Sequence, residues 1–261
     1  MPQITLSPLR RGMIGAGVAL VAATWLYLVL VRPTDWDSVG GSTEALITLG
    51  GYLGGAVLLL AATLPALPAR TIGVIPVALV LNIVIGQVAG SVGVPFYLDS
   101  VGTVLVAALA GPVVGLATGT LSSVVWGLLN PAALPFAAVA AATGWLAGVA
   151  IEKGAFRKLW LLILSGLLIG LICGALAAPV AAFVYGGTAG VGTGAIVSLF
   201  RELGNSLLAS VTMQSFISDP LDKLAVLAVV FATVKALPKK TLDSFRPQDG
   251  QLHPAEAPVT A

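Results

Sequence analysis

The chain has 261 residues, 57% of them apolar and only 9% charged, with a net charge of +2. A soluble domain carries about 25% charge, so this chain has too few polar groups to cover a water-facing surface, and a mean hydropathy of +1.02 points to lipid. The charge balance gives no basis for binding nucleic acid, and a single cysteine, Cys173, excludes an internal disulfide.

A bilayer core about 30 Å thick needs about 20 apolar helical residues to cross it. Lipid offers the backbone no hydrogen-bond partners, so such runs must be helices. The first run follows Arg10-Arg11 and covers 12–31. It is longer than the apolar core of a secretory signal, about 7–15 residues, and Trp25, Tyr27 and Leu28 stand where cleavage would fall. It is therefore expected to be a retained helix. Further spans are expected at 45–66, 72–92, 100–111, 113–129, 133–152, 158–185 and 218–237.

Two stretches admit two readings. Residues 100–130 form either one long helix or a hairpin turning at Gly111-Pro112. Residues 195–216 form either a span or a surface helix with the polar stripe Ser198, Arg201, Glu202, Asn205, Thr212 and Ser215. The excess of Lys and Arg on cytoplasmic loops favours the hairpin and the surface helix. With eight spans and an inside N-terminus, ten of the thirteen basic residues fall on the cytoplasmic side: Arg10, Arg11, Arg70, Lys153, Arg157, Lys158, Lys235, Lys239, Lys240 and Arg246. The tail 241–261 is rich in Pro and polar residues and is expected to be disordered and cytoplasmic.

Small residues recur every fourth position at Gly111, Gly115, Gly119, Ser123 and Gly127, and again at Gly166, Gly170, Gly174, Ala178 and Ala182. Such stripes let helix backbones approach closely. They serve either the bundle itself or docking to another membrane protein, as do Gly86-x-x-x-Gly90 and the cluster Gly50, Gly51, Gly54, Gly55.

Catalytic motifs are missing. There is no Gly-x-x-x-x-Gly-Lys-Ser/Thr loop for nucleotide phosphates. The only histidine, His253, lies in the tail, which rules out a His/Cys zinc site and a Ser-His or Cys-His pair. The expectation is no enzyme, no metal and no cofactor. Spans nearly free of acidic residues also argue against a proton relay. Polar residues gather instead at the expected outer side: Tyr97 and Asp99 after the third span, Trp126 and Asn130 after the fifth, Tyr185 to Thr188 after the seventh, and Arg201, Glu202 and Asn205 on the surface helix. Asp219-Pro220-Leu221-Asp222-Lys223 opens the last span. Each cluster has a structural reading as a cap, an interfacial aromatic or an ion pair. Together they supply the apolar wall and few polar groups of a small-molecule pocket.

Phe96-Tyr97-Leu98-Asp99-Ser100-Val101-Gly102-Thr103, then Ala110-Gly111-Pro112 with Gly115 and Gly119, then Asp219-Pro220-Leu221-Asp222-Lys223 leading a helix that ends at Leu237-Pro238-Lys239-Lys240, carry a resemblance. Over 71–240 the chain resembles the substrate-binding S component of energy-coupling factor (ECF) transporters. The resemblance implies an all-α fold, a six-helix membrane domain at 71–240, here preceded by an added helix pair at 1–70. It implies capture of a vitamin or related micronutrient at the outer face of a prokaryotic cytoplasmic membrane, and delivery with a transmembrane coupling subunit and two cytosolic ATPases. It places substrate-binding residues at Tyr97, Asp99, Trp126, Asn130, Arg201, Glu202 and Asn205. The family's Ala-x-x-x-Ala docking motif is replaced on the third span by Ala78, Asn82 and Gly86. The alternative reading is a membrane sensor or structural membrane subunit.

Overall fold

The computed structural model describes residues 7–33, 42–187 and 191–245. Among them are ten α-helices and no strand: α1 (Pro8–Val31), α2 (Thr43–Thr63), α3 (Ala69–Ser91), α4 (Val101–Ala110), α5 (Pro112–Leu129), α6 (Ala137–Glu152), α7 (Leu159–Val184), α8 (Val191–Glu202), α9 (Leu207–Ala236) and α10 (Lys239–Asp243). Short 3-10 turns extend α2 over Leu64–Ala66 and lead into α6 over Pro131–Phe136.

Six of these helices are long and apolar enough to cross a membrane: α1, α2 with its extension, α3, α5, α6 with its lead-in, and α7. Many of their exposed side chains are aliphatic, as with Val77, Val80, Val84 and Val88 on α3 and Leu164, Leu168 and Leu171 on α7. Asn82, Thr118, Thr120 and Thr143 are buried. An apolar exterior around polar interior contacts is the arrangement lipid demands. The protein is an all-α, multi-pass membrane helix bundle.

The expected hairpin at 100–130 is present. α4 stops at Gly111, whose φ of +92° lies in a region that only glycine enters cheaply, and Pro112 opens α5 at the position where its missing N–H costs nothing. At ten residues α4 is about 15 Å long, too short to cross alone. It is packed between α3, α5, α6 and α9. A Cβ on Gly102 would overlap the Ala78 backbone of α3, so only glycine permits this approach. The N-terminus of α4 is capped from outside the helix. Asn82 of α3 accepts hydrogen bonds from the backbone N–H groups of Gly102 at 2.7 Å and Thr103 at 3.3 Å. The Asn82 amide nitrogen donates to the hydroxyls of Thr103 at 2.8 Å and Ser122 of α5 at 3.1 Å.

The single surface helix expected at 195–216 is not formed. α8 ends at Glu202, the chain turns through Gly204 with φ +89°, and α9 begins at Leu207 with the Ser206 hydroxyl as its cap. The second half of the expected helix is the start of a 30-residue α9 that continues through Asp219 to Ala236. Nor is the tail unstructured from 241: α10 runs to Asp243, and the residues after it dock on α3, the Ser244 hydroxyl accepting from Arg70 at 3.1 Å and the Phe245 carbonyl from the Thr71 hydroxyl at 2.8 Å. The rest of the expected tail, 246–261, lies outside the described residues, as does Thr188.

Both small-residue stripes pack inside the bundle. Cβ atoms on Gly166 and Gly170 of α7 would meet the backbone of Leu224 and Pro220 on α9. Cβ atoms on Gly115 and Gly119 of α5 would meet the backbone of Gly144 and Ala140 on α6. Gly51 and Gly55 of α2 face Thr24 and Val21 of α1 in the same way. On α3, Ala78, Asn82 and Gly86 are buried, and of the Gly86-x-x-x-Gly90 pair only Gly90 faces open space. The α1–α2 pair shares a core with the rest, since Val21, Leu28, Tyr52 and Leu59 pack in one cluster with Leu116, Leu134 and Val180.

Candidate functional site

Arg70 starts α3, Lys153 follows α6 and Lys235 is in the last turn of α9. Away from these positions lies a half-open cavity of about 320 Å³, at the end of α3, the start of α6 and the middle of α9. Its walls come from the last turns of α3, the 92–100 connection, the end of α5, the 131–136 turn, the first half of α6, α7 near Ala177 and Ala181, and α9.

One side is charged. Ser215, Asp219 and Lys223, each four residues from the next on α9, all face the cavity. One helical turn repeats every 3.6 residues, so this spacing puts the three on one face. Beside them, Asp222 fixes the 92–100 connection to α9: its Oδ1 accepts from the backbone N–H groups of Tyr97 at 3.1 Å and Leu98 at 2.7 Å. This clamp holds Leu98 at φ +50°, a left-handed conformation unusual for leucine. The Lys223 ammonium donates to Asp222 Oδ2 and to the Ser100 hydroxyl at 3.2 Å, and lies 3.7 Å from Asp99 Oδ1. Asp219 is buried, and its Oδ2 has no hydrogen-bond partner. In the connection itself, burial pushes the Tyr97 phenol above its usual range. Desolvation raises the Asp99 carboxyl, and the Lys223 ammonium draws it back down.

The other side is aromatic and apolar. Trp126 of α5 lies against Gly86 and Asp99, where a Cβ on Gly86 would touch its ring. Phe136 stacks on Tyr185 with ring centroids 5.8 Å apart. Tyr185 also donates to the Ala132 carbonyl at 2.9 Å. The α1–α2 pair supports this wall from behind: Tyr52 donates to the Pro135 carbonyl at 3.3 Å and Trp25 to the Leu176 carbonyl at 3.0 Å. These two helices therefore brace the turn and the helix that line the cavity.

Of the seven residues proposed from the sequence, Tyr97, Asp99, Trp126 and Asn130 line the cavity. The Asn130 side chain also caps the 131–136 turn, accepting from Ala132 N at 3.2 Å. Arg201, Glu202 and Asn205 are not among the lining residues. They terminate α8 instead, where Arg201 donates to the Asn205 carbonyl at 3.2 Å and Asn205 to the Phe200 carbonyl at 3.1 Å. Lining residues outside that set include Asp219, Lys223, Ser215, Thr143 and Phe136. Among the described residues no group of three or more His, Cys, Asp or Glu side chains is placed to hold a metal ion.

No protein-family model, curated protein or solved structure matches this chain.

Proposed function

We propose that this chain is the substrate-capturing membrane subunit of an ECF-type importer, seated in the cytoplasmic membrane of a prokaryote. It takes up a vitamin-like small molecule in the cavity and relies on a coupling subunit and two cytosolic ATPases for inward delivery. The observation that carries this reading is the cavity. Its volume of about 320 Å³ is at the small end of the range for organic ligands. It combines an aromatic wall with a few polar groups, as such sites do, and it lies away from the Arg70, Lys153 and Lys235 ends of the helices. The resemblance over 71–240 supplies the partners, and the sequence offers no nucleotide-binding loop that would let the chain drive transport itself.

Reconstitution tests the reading. In proteoliposomes the chain alone should bind its ligand without concentrating it. Accumulation should require the coupling subunit, both ATPases and ATP. Uphill uptake by the chain alone would overturn the proposal.

A further inference from the structure

The charges around the cavity do not balance, and the imbalance bears on what the cavity holds. Three carboxylates, Asp99, Asp219 and Asp222, stand around one ammonium, Lys223. Asp222 is satisfied on both oxygens, by Lys223 and by two backbone N–H groups. Lys223 is directed at Asp222 and Ser100. That leaves Asp99, which pairs with the ammonium only at 3.7 Å and stays partly exposed, and Asp219, which lines the cavity while its Oδ2 lies against Gly174 of α7 with no hydrogen-bond partner. A buried acceptor without a donor is costly, and a buried carboxylate more so. Lys223 does not present a free cation to an incoming anion, because acceptors already surround it.

The rings of Trp126, Tyr97 and Phe136 also line the cavity, with Trp126 beside Asp99 at Gly86. Aromatic faces attract cations through their quadrupole, and the attraction strengthens when water is excluded. Both walls thus select the same sign of charge.

We propose that the cavity binds a flat organic cation carrying a protonated amine. Its N–H groups donate to the Asp99 and Asp219 carboxylates, and its ring lies among Trp126, Tyr97 and Phe136. This rests on reading the cavity as a binding site, and it names the chemical class that the site takes.

The test uses three probes of one shape: 2-naphthylmethylamine, 2-naphthalenemethanol and 2-naphthoate, titrated by calorimetry into the full-length protein in detergent at neutral pH. The amine should bind about tenfold or more tighter than the alcohol, since a hydrogen bond to a charged group contributes at least that much, and tighter than the carboxylate. Asp219→Asn should bring the amine's affinity down to that of the alcohol, with no loss of melting temperature and the alcohol still binding. Asp99→Asn, read in the same way, should reduce the amine's advantage and serves where Asp219→Asn does not fold. Tighter binding of the carboxylate than of the amine, or an amine preference untouched by both substitutions, overturns the cation assignment while leaving the cavity a binding site. No binding of any probe overturns both readings.

Discussion

The bond between Lys223 and Asp222 should be essential to the fold, and its cost on removal can be worked out from the contacts. Lys223→Met keeps the side-chain length and removes the ammonium. Asp222, whose side chain is fully buried, would then hold a charge with no cation near it. Breaking a buried pair by removing one partner costs about 3–5 kcal/mol. Two backbone N–H groups still support the Asp222 carboxylate, so the lower end, about 3 kcal/mol, is expected. Asp222→Asn in the same chain removes the stranded charge yet keeps an oxygen for the Tyr97 and Leu98 amides. The double variant should therefore be more stable than Lys223→Met, within about 1–2 kcal/mol of wild type. Reversible unfolding in mixed micelles, followed by circular dichroism, measures all three. A cost below about 0.5 kcal/mol for Lys223→Met, or a double variant as unstable as the two single costs added, refutes the account of this pair.

Three further outcomes follow from the packing. Asn82→Ala removes four hydrogen bonds and uncaps α4. At about 0.6 kcal/mol for each bond within a bilayer, it should cost about 2 kcal/mol in the same unfolding assay, and a loss under 1 kcal/mol would contradict the junction's role. Gly170→Val drives a side chain into the Pro220 backbone and should cost about 1–3 kcal/mol, while Gly90→Ala, which meets nothing within 4 Å, should stay within about 0.5 kcal/mol. Equal effects would show that the α7–α9 contact is not the one described. Cysteines at the exposed positions Lys153 and Lys240 should label from one side of the membrane, and cysteines at Ser91 and Leu203 from the other, with the buried Cys173 silent. Labelling of all four from one side would refute the topology.

The bundle was legible because lipid leaves so little choice. Long apolar runs must be helices, and Gly111-Pro112 marks a turn by backbone chemistry alone. The small-residue stripes were visible as stripes, but whether they face inward depends on which helices adjoin, and that is a tertiary property. Asn82 looks like a broken docking motif in the sequence and turns out to be a buried cap for another helix. The cavity was half legible. Tyr97, Asp99, Trp126 and Asn130 stand at span ends, where position alone singles them out. Ser215, Asp219 and Lys223 share a four-residue spacing that was present in the sequence, but a helix boundary drawn between 216 and 218 cut it in two. Arg201, Glu202 and Asn205 read as a polar face, whereas Gly204 makes them the end of a short helix. Thr143 sits inside an apolar run, and no local signal distinguishes it from other buried threonines that bond their own helix.

The central claim is that the cavity holds a small organic molecule, and one measurement addresses it directly. The full-length protein is purified from its membrane beside Ala140→Phe, which places a ring in the cavity from the α6 wall, and both are analysed by native mass spectrometry with release and identification of bound small molecules. The account predicts one molecule per chain in the wild type and none in Ala140→Phe, which still folds to the same helical content. The same molecule in equal amount on both proteins, or none on either, would contradict it.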